Sequence, residues 1–226
     1  MLKREAEWIA SAFDRIESAR LFPFVNLGSS SAQFREVEQP FIEQLIFEPL
    51  RRRGGPIHHV DGKAEPGVDL TLDLAHDTAW EQLRALKPRC VLCSSVFEHV
   101  ADRPLLAQRL VSLLEPGGYL LVSVPSLFPY HPDPIDTGFR PNPAQLVALF
   151  PELRVCQAEE IACGRLGDLV VGQAPRLAKK VAGLLASSVA RRVKLAGAVE
   201  VEPAAPVDWL KHLVVPFRLS CALLVR

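Results

Sequence analysis

Phe24-Val25-Asn26-Leu27-Gly28-Ser29-Ser30-Ser31-Ala32 is the stretch on which the fold turns. Phe24 to Leu27 is a short apolar run interrupted only by Asn26, which suits a buried strand. Gly28 and three serines follow at once and read as a tight turn. Beyond them Phe34, Val37, Phe41, Ile42, Leu45 and Ile46 recur at helical spacing. Strand, small-residue turn and helix form the opening unit of a doubly wound sheet. In such a sheet, N–H groups at the helix start face a ligand at the carboxyl end of the strand.

The same alternation continues outward. Upstream, residues 3–20 are predicted to be a helix whose apolar face carries Trp8, Ile9, Ala12, Phe13, Ile16 and Ala19. Downstream, the helical pattern runs to about Arg53, with breaks at Pro40 and Pro49. Gly54-Gly55-Pro56 stops it, and Ile57 to Asp61 reads as a second strand. Gly67 to Leu74 is a third strand, Trp80, Leu83 and Leu86 mark a helix, and Cys90 to Val96 is a fourth strand, apolar on both faces. Asp102 and Pro104 start a helix that ends at Pro116-Gly117-Gly118, and Tyr119 to Val124 is the fifth strand. This order predicts one α/β domain over residues 1–226, with a doubly wound, mainly parallel sheet. Leu153 to Ile161 and Phe217 to Val225 add an antiparallel C-terminal edge.

Composition narrows the function. The chain has 226 residues, 49% of them hydrophobic, and a formal net charge of +0, so bulk charge gives no case for nucleic acid. Met1 to Glu5 lacks the apolar run of a signal peptide, and no apolar stretch is long enough to span a bilayer. A cytoplasmic protein is expected. Five cysteines at irregular spacing give no disulfide framework. Cys90 and Cys93 have CxxC spacing, but on a strand residues three apart point to opposite faces and share no metal. Adjacent His58 and His59 also diverge, so no metal site is predicted from them.

Some side chains fall where α/β proteins bind ligands. Asp61 stands at the end of the second strand, where an acidic residue binds the ribose hydroxyls of a nucleotide cofactor. It lies 33 residues after Gly28 rather than about 20, so the first crossover must be long. The segment from Pro125 to Asp136 is too proline-rich for a helix or a central strand and leaves the fifth strand at its carboxyl end. It carries Tyr130, His131, Asp133 and Asp136, a polar group suited to substrate contacts. His131 is the first candidate for a general base, because imidazole titrates near neutrality; Asp133 or Asp136 is second. Glu98 and His99 are read as shaping the turn after strand four.

Together these residues resemble class I S-adenosylmethionine-dependent methyltransferases, specifically the small-domain group with a Glu-His-Val segment after strand four. Phe24–Ala32 is similar to that family's first motif, Asp61 to its second acidic position and Asp73-Leu74 to its adenine-side position. Ser94 to Val100 and Leu114 to Gly118 resemble its fourth and fifth blocks. Tyr130 to Pro134 resembles a substrate-loop pattern found in part of the group. Asn26 stands where the family usually carries an acid, and Ser30 where it carries a second glycine. The resemblance implies S-adenosylmethionine as cofactor, bound by Asn26, Gly28, Ser29, Ser30, Asp61, Asp73, Leu74 and Ser94. It also implies methyl transfer to a small-molecule or glycan acceptor, with His131, Asp133 and Asp136 as the catalytic group.

Two other classes compete. A domain of this kind that has become catalytically weak or inactive would serve as a binding module or scaffold. A nicotinamide oxidoreductase lacks its glycine fingerprint here. Residues 175–196 form a helical basic insert. Its leucines and valines fall on one side, Arg176, Lys179, Lys180, Arg191 and Lys194 gather on the other with Arg192 projecting into the apolar side, and no acidic residue occurs from Leu169 through Val199. That pattern suits peripheral contact with a membrane surface.

Overall fold

A computed structural model of the chain describes residues 1–131, 135–165 and 215–226. Seven strands form one sheet in the order β3-β2-β1-β4-β5-β7-β6. Strands β1 (Phe24–Leu27), β2 (Ile57–Asp61), β3 (Leu70–Thr71), β4 (Cys90–Ser94) and β5 (Tyr119–Leu127) are mutually parallel. β7 (Arg218–Val225) runs antiparallel between β5 and β6 (Arg154–Ala162). The predicted antiparallel edge is therefore two strands wide, with β6 outermost. Asn26 stands level with His59 on one side and Leu92 on the other, which aligns the carboxyl ends of the three central strands.

The alternation of side chains divides the core into two layers. On one face Val25, Leu27, Val91 and Cys93 pack with Trp80 and Leu83 of α4 (Asp77–Ala85), Leu110 of α5 (Arg103–Leu113) and Leu146 of α6 (Pro143–Val147). On the other, Phe24, Cys90 and Leu92 pack with Ile9 and Phe13 of α1 (Lys3–Phe13), Ile42 of α2 (Pro40–Ile42) and Leu50 of α3 (Glu48–Arg52). Cys90 and Cys93 thus lie in opposite layers, and burial pushes both thiols well above their ordinary pKa. Asp102 Oδ1 accepts from Leu105 N at 3.0 Å, the N-cap that starts α5.

Four predicted boundaries are corrected. The helix expected over 3–20 ends at Phe13, because the N–H groups of Arg15 and Ile16 turn to carbonyls only three residues back. Ile16 still reaches the core, which is why the apolar spacing read as helix. Arg53 closes that end by donating to Phe13 O at 3.0 Å and to Asp14 Oδ1 at 2.6 Å. The helix after β1 breaks before Pro40, at Gln39, and returns to α-helical bonding at Pro49 after a wider turn over Glu43–Phe47. The third strand shrinks from Gly67–Leu74 to Leu70–Thr71, since Gly67 has φ +81° and Asp69 bonds β2 through its side chain. The fifth strand runs on through Pro125 to Leu127. Beyond Ser123 its β4 side is unpaired, so the missing N–H of Pro125 interrupts no central ladder. Asp133 and the basic insert at 175–196 lie outside the described residues.

One strand histidine sets a pH dependence. His59 is buried, its Nδ1 is 3.1 Å from Asn26 Nδ2, and its ring meets Phe47 edge-on at 4.7 Å. Burial, reinforced by Arg35, lowers its pKa to about 4. The unfolded chain binds the proton near pH 6.5, so the contribution is complete above that pH and is lost as pH falls through 4. It is worth about 3 kcal/mol. His59→Gln, which keeps an acceptor for Asn26, is expected to flatten this limb in urea melts at pH 7 and pH 4.5. Parallel losses in parent and variant would count against the assignment.

Candidate functional site

The turn after β1 is built around one close contact. Gly28 has φ +73°, and a Cβ there would lie 2.7 Å from Val96 Cγ2, so neither the conformation nor the space admits a side chain. Ser30 adopts φ +57° without being glycine. Two bonds hold it there: its N–H donates to Asp61 Oδ2 at 2.8 Å, and its carbonyl accepts from Arg35 Nη1 at 2.5 Å. Arg35 is only 3% exposed. It also donates to Ser29 O at 3.1 Å and Gly67 O at 2.7 Å, which makes it the internal brace of the loop.

This network changes one expectation. The N–H groups of Gly28 and Ser29 both donate to Val60 O, and that of Ser30 donates to Asp61. They close the loop onto β2 and do not project freely toward a ligand. The serine turn thus reproduces the shape of a glycine-rich loop while directing its donors inward.

A cleft of about 110 Å³ opens beside this loop, lined by Asn26, Gly28, Ser29, Ser30, Ser94 and neighbouring residues including Met1 and Phe34. Of the residues predicted to bind a cofactor, these five come together. Asp61 adjoins them through Ser30, and its other oxygen accepts from Lys63 N at 3.0 Å. A carboxylate has about four acceptor positions, so two remain for hydroxyl groups. Asp73 is exposed and accepts from Ala75 N at 2.9 Å. The Leu74 carbonyl receives Trp80 Nε1 at 2.9 Å and Arg109 Nη1 at 3.1 Å, and its side chain packs on the core. Neither Asp73 nor Leu74 lines the cleft.

Behind the cleft, bonded to Ser94 of its wall, stands a residue that the sequence did not single out. Glu5 of α1 is fully buried, and its Oε1 accepts from Ser94 Oγ at 2.7 Å and from Ser123 Oγ. Its Oε2 accepts from Leu2 N at 3.0 Å. The carboxylate ties the first helix to the carboxyl ends of β4 and β5.

On the other side of those strand ends lies a denser polar group. Glu98 is fully buried, and among the described residues neither carboxylate oxygen has a hydrogen-bond partner. Burial raises its pKa to about 7. His99 places Nε2 3.9 Å from Glu98 Oε1, while its Nδ1 lies 2.5 Å from Ile135 O. His131 comes from the loop after β5, and its ring meets that of His99 at 5.4 Å. Its Nδ1 is 3.2 Å from both Pro129 O and Asp136 Oδ2. Bonded only to acceptors, both Nδ1 atoms carry the proton, which leaves a lone pair on each Nε2. Burial lowers the His131 pKa from 6.5.

Asp136 is saturated. Arg140 donates to both of its oxygens, at 2.6 and 3.1 Å, and the N–H groups of His131 and Gly138 complete the set. Burial pushes this carboxyl up, but those donors outweigh it and hold its pKa at about 2. A carboxylate so held orients His131 and takes no proton at neutral pH. His131 and Asp136 are thus together, as expected from the loop. Glu98 and His99, expected only to shape the turn after β4, join them.

Residues 29–158, more than half of the chain, match the model of a family described as a methyltransferase domain. No curated protein sequence matches significantly. Among solved structures, an S-adenosylmethionine-dependent methyltransferase from Mesorhizobium loti is 14% identical, with 98% of each chain covered and a TM-score of 0.49. A protein described as a sarcosine dimethylglycine methyltransferase from Galdieria sulphuraria is 13% identical, with 98% of this chain and 85% of that one covered and a TM-score of 0.50. At these identities the likeness is one of fold.

Proposed function

The chain belongs to the methyltransferase domain family, and from that premise we propose that it moves a methyl group from S-adenosylmethionine to a hydroxyl of a small-molecule or glycan acceptor. The observation that carries the acceptor reading is the His131 ring, oriented through Nδ1 by Pro129 O and Asp136 and clustered with buried Glu98 and with His99. A hydroxyl is a weak nucleophile until its proton is withdrawn. His131 is placed to withdraw it, with Asp136 and Pro129 holding the ring by Nδ1.

The residues of the cleft fit the cofactor. Asp61 keeps two acceptor positions, and Asn26, Gly28 and Ser94 line the wall. When bound, the cofactor supplies the electrophilic methyl group on a sulfonium; the chain supplies orientation and proton handling. Asp61→Ala is expected to weaken S-adenosylmethionine binding by roughly 1–3 kcal/mol, read by calorimetry. Unchanged affinity would remove Asp61 from the ribose site.

The second reading, a weak or inactive binding domain, is favoured by one observation. The Gly28, Ser29 and Ser30 N–H groups are all spent inside the loop. Calorimetry decides between the two, since a scaffold of this kind would release no heat with the cofactor. Among the described residues no helix is long and apolar enough to cross a membrane.

A further inference from the structure

We propose that Glu98, His99 and His131 form a binding site for a divalent first-row transition-metal cation. One ligand atom from each lies within 4.8 Å of the other two. One carboxylate and two imidazoles with an open position is a donor set that holds zinc or iron(II).

Three independent features aim these groups at a cation. The first is Glu98, a fully buried carboxyl whose two oxygens meet no donor among the described residues. Burying such a group unpaired is costly, and a cation would repay that cost. The second is the orientation of both histidines. Metal-bound imidazoles almost always donate their other N–H to a carbonyl or carboxylate. His99 Nδ1 does so to Ile135 O, and His131 Nδ1 to Pro129 O and Asp136 Oδ2. The two free Nε2 atoms come from different elements, one from the turn after β4 and one from the loop after β5. The third is access. The His99 and His131 side chains are 21% and 30% exposed while Glu98 is sealed, so the cluster opens on one side only. Cation–ligand distances of about 2.0–2.2 Å require the three groups to draw together by side-chain rotation.

An oxygen ligand in the open position would sit at the acceptor end of the sheet. A cation there lowers the pKa of a bound hydroxyl, and His131 would then be a ligand and would not itself take the proton. That use rests on the methyl-transfer reading; cation binding does not.

The test uses the full chain, stripped with a chelator and titrated with Co²⁺ followed by visible absorption, then with Zn²⁺ by calorimetry. One saturable Co²⁺ per chain is expected, with a d–d band that Zn²⁺ abolishes by displacement. Glu98→Gln and His131→Ala are each expected to lower Co²⁺ affinity by at least 30-fold. Should a variant fold poorly, the parent serves alone: Zn²⁺ is expected to raise its melting temperature and to shift the His99 and His131 ring signals together in NMR. Absence of saturable Co²⁺ binding in the parent, or equal affinity in parent and both variants, would overturn the proposal. Turnover plays no part in these readouts, so failure of the methyl-transfer reading is seen separately.

Discussion

Arg35→Ala is expected to lower S-adenosylmethionine affinity by at least 100-fold and to cost about 3 kcal/mol of stability. The guanidinium is only 3% exposed and donates to the carbonyls of Ser29, Ser30 and Gly67. Removing it takes the donor from three carbonyls, of which that of buried Ser29 would be left unpaired at a cost of roughly 1–3 kcal/mol, and opens a cavity under the loop. Ser30 then loses one of the two bonds that hold its left-handed conformation, whose relaxation would move Asp61 as well. Arg35→Lys is expected to rescue little, because an ammonium cannot span the same carbonyls with a planar fork. Calorimetry with the cofactor and urea melts read the two effects. A variant of parental affinity would show that the loop needs no brace.

His131→Ala is expected to reduce turnover by about 10²- to 10⁴-fold while leaving cofactor affinity within twofold. The ring is not among the residues that line the cleft beside Gly28, and its partners are Pro129, Asp136 and the rings of His99 and Phe128. The pH profile gives the sharper test. Burial depresses the His131 pKa below 6.5, so a rate that needs the neutral ring holds down through pH 6.5 and falls only at more acid pH. That acid limb should vanish in the variant. Full turnover across several acceptors and pH values would remove His131 from the mechanism.

Strands β1, β4 and β5 were legible because each holds a short apolar run buried on both faces, whereas β2 was placed by the Gly54-Gly55-Pro56 break before it. The failures have local causes. Ile16 reaches the core through a tight turn rather than a helix, and apolar spacing cannot tell the two apart. Asp69 pairs with β2 through its carboxylate, a bond invisible to any strand pattern. In the site, Gly28, Ser29 and Ser94 converge on one cleft because the parallel register fixes the strand ends. Glu5 was not legible, since its serine partners lie about a hundred residues away in the chain. Glu98 resembled a turn residue in sequence; only the folded chain shows it buried beside two imidazole rings.

β7 separates β5 from β6, and this arrangement constrains the order in which the protein can be completed as it leaves the ribosome. β6 ends at Ala162 and among the described residues pairs as a strand only with β7, yet β7 begins only at Arg218. At roughly 5–20 residues per second, β6 waits several seconds for its partner to be synthesised. Trp8 of α1 donates to Glu159 of β6 at 2.7 Å, so the first helix waits too. The same helix carries Glu5 beneath β4 and β5. Nascent chains arrested before Arg218 should therefore hold the parallel half of the sheet while α1 stays sensitive to protease, and release of the finished chain should protect both at once.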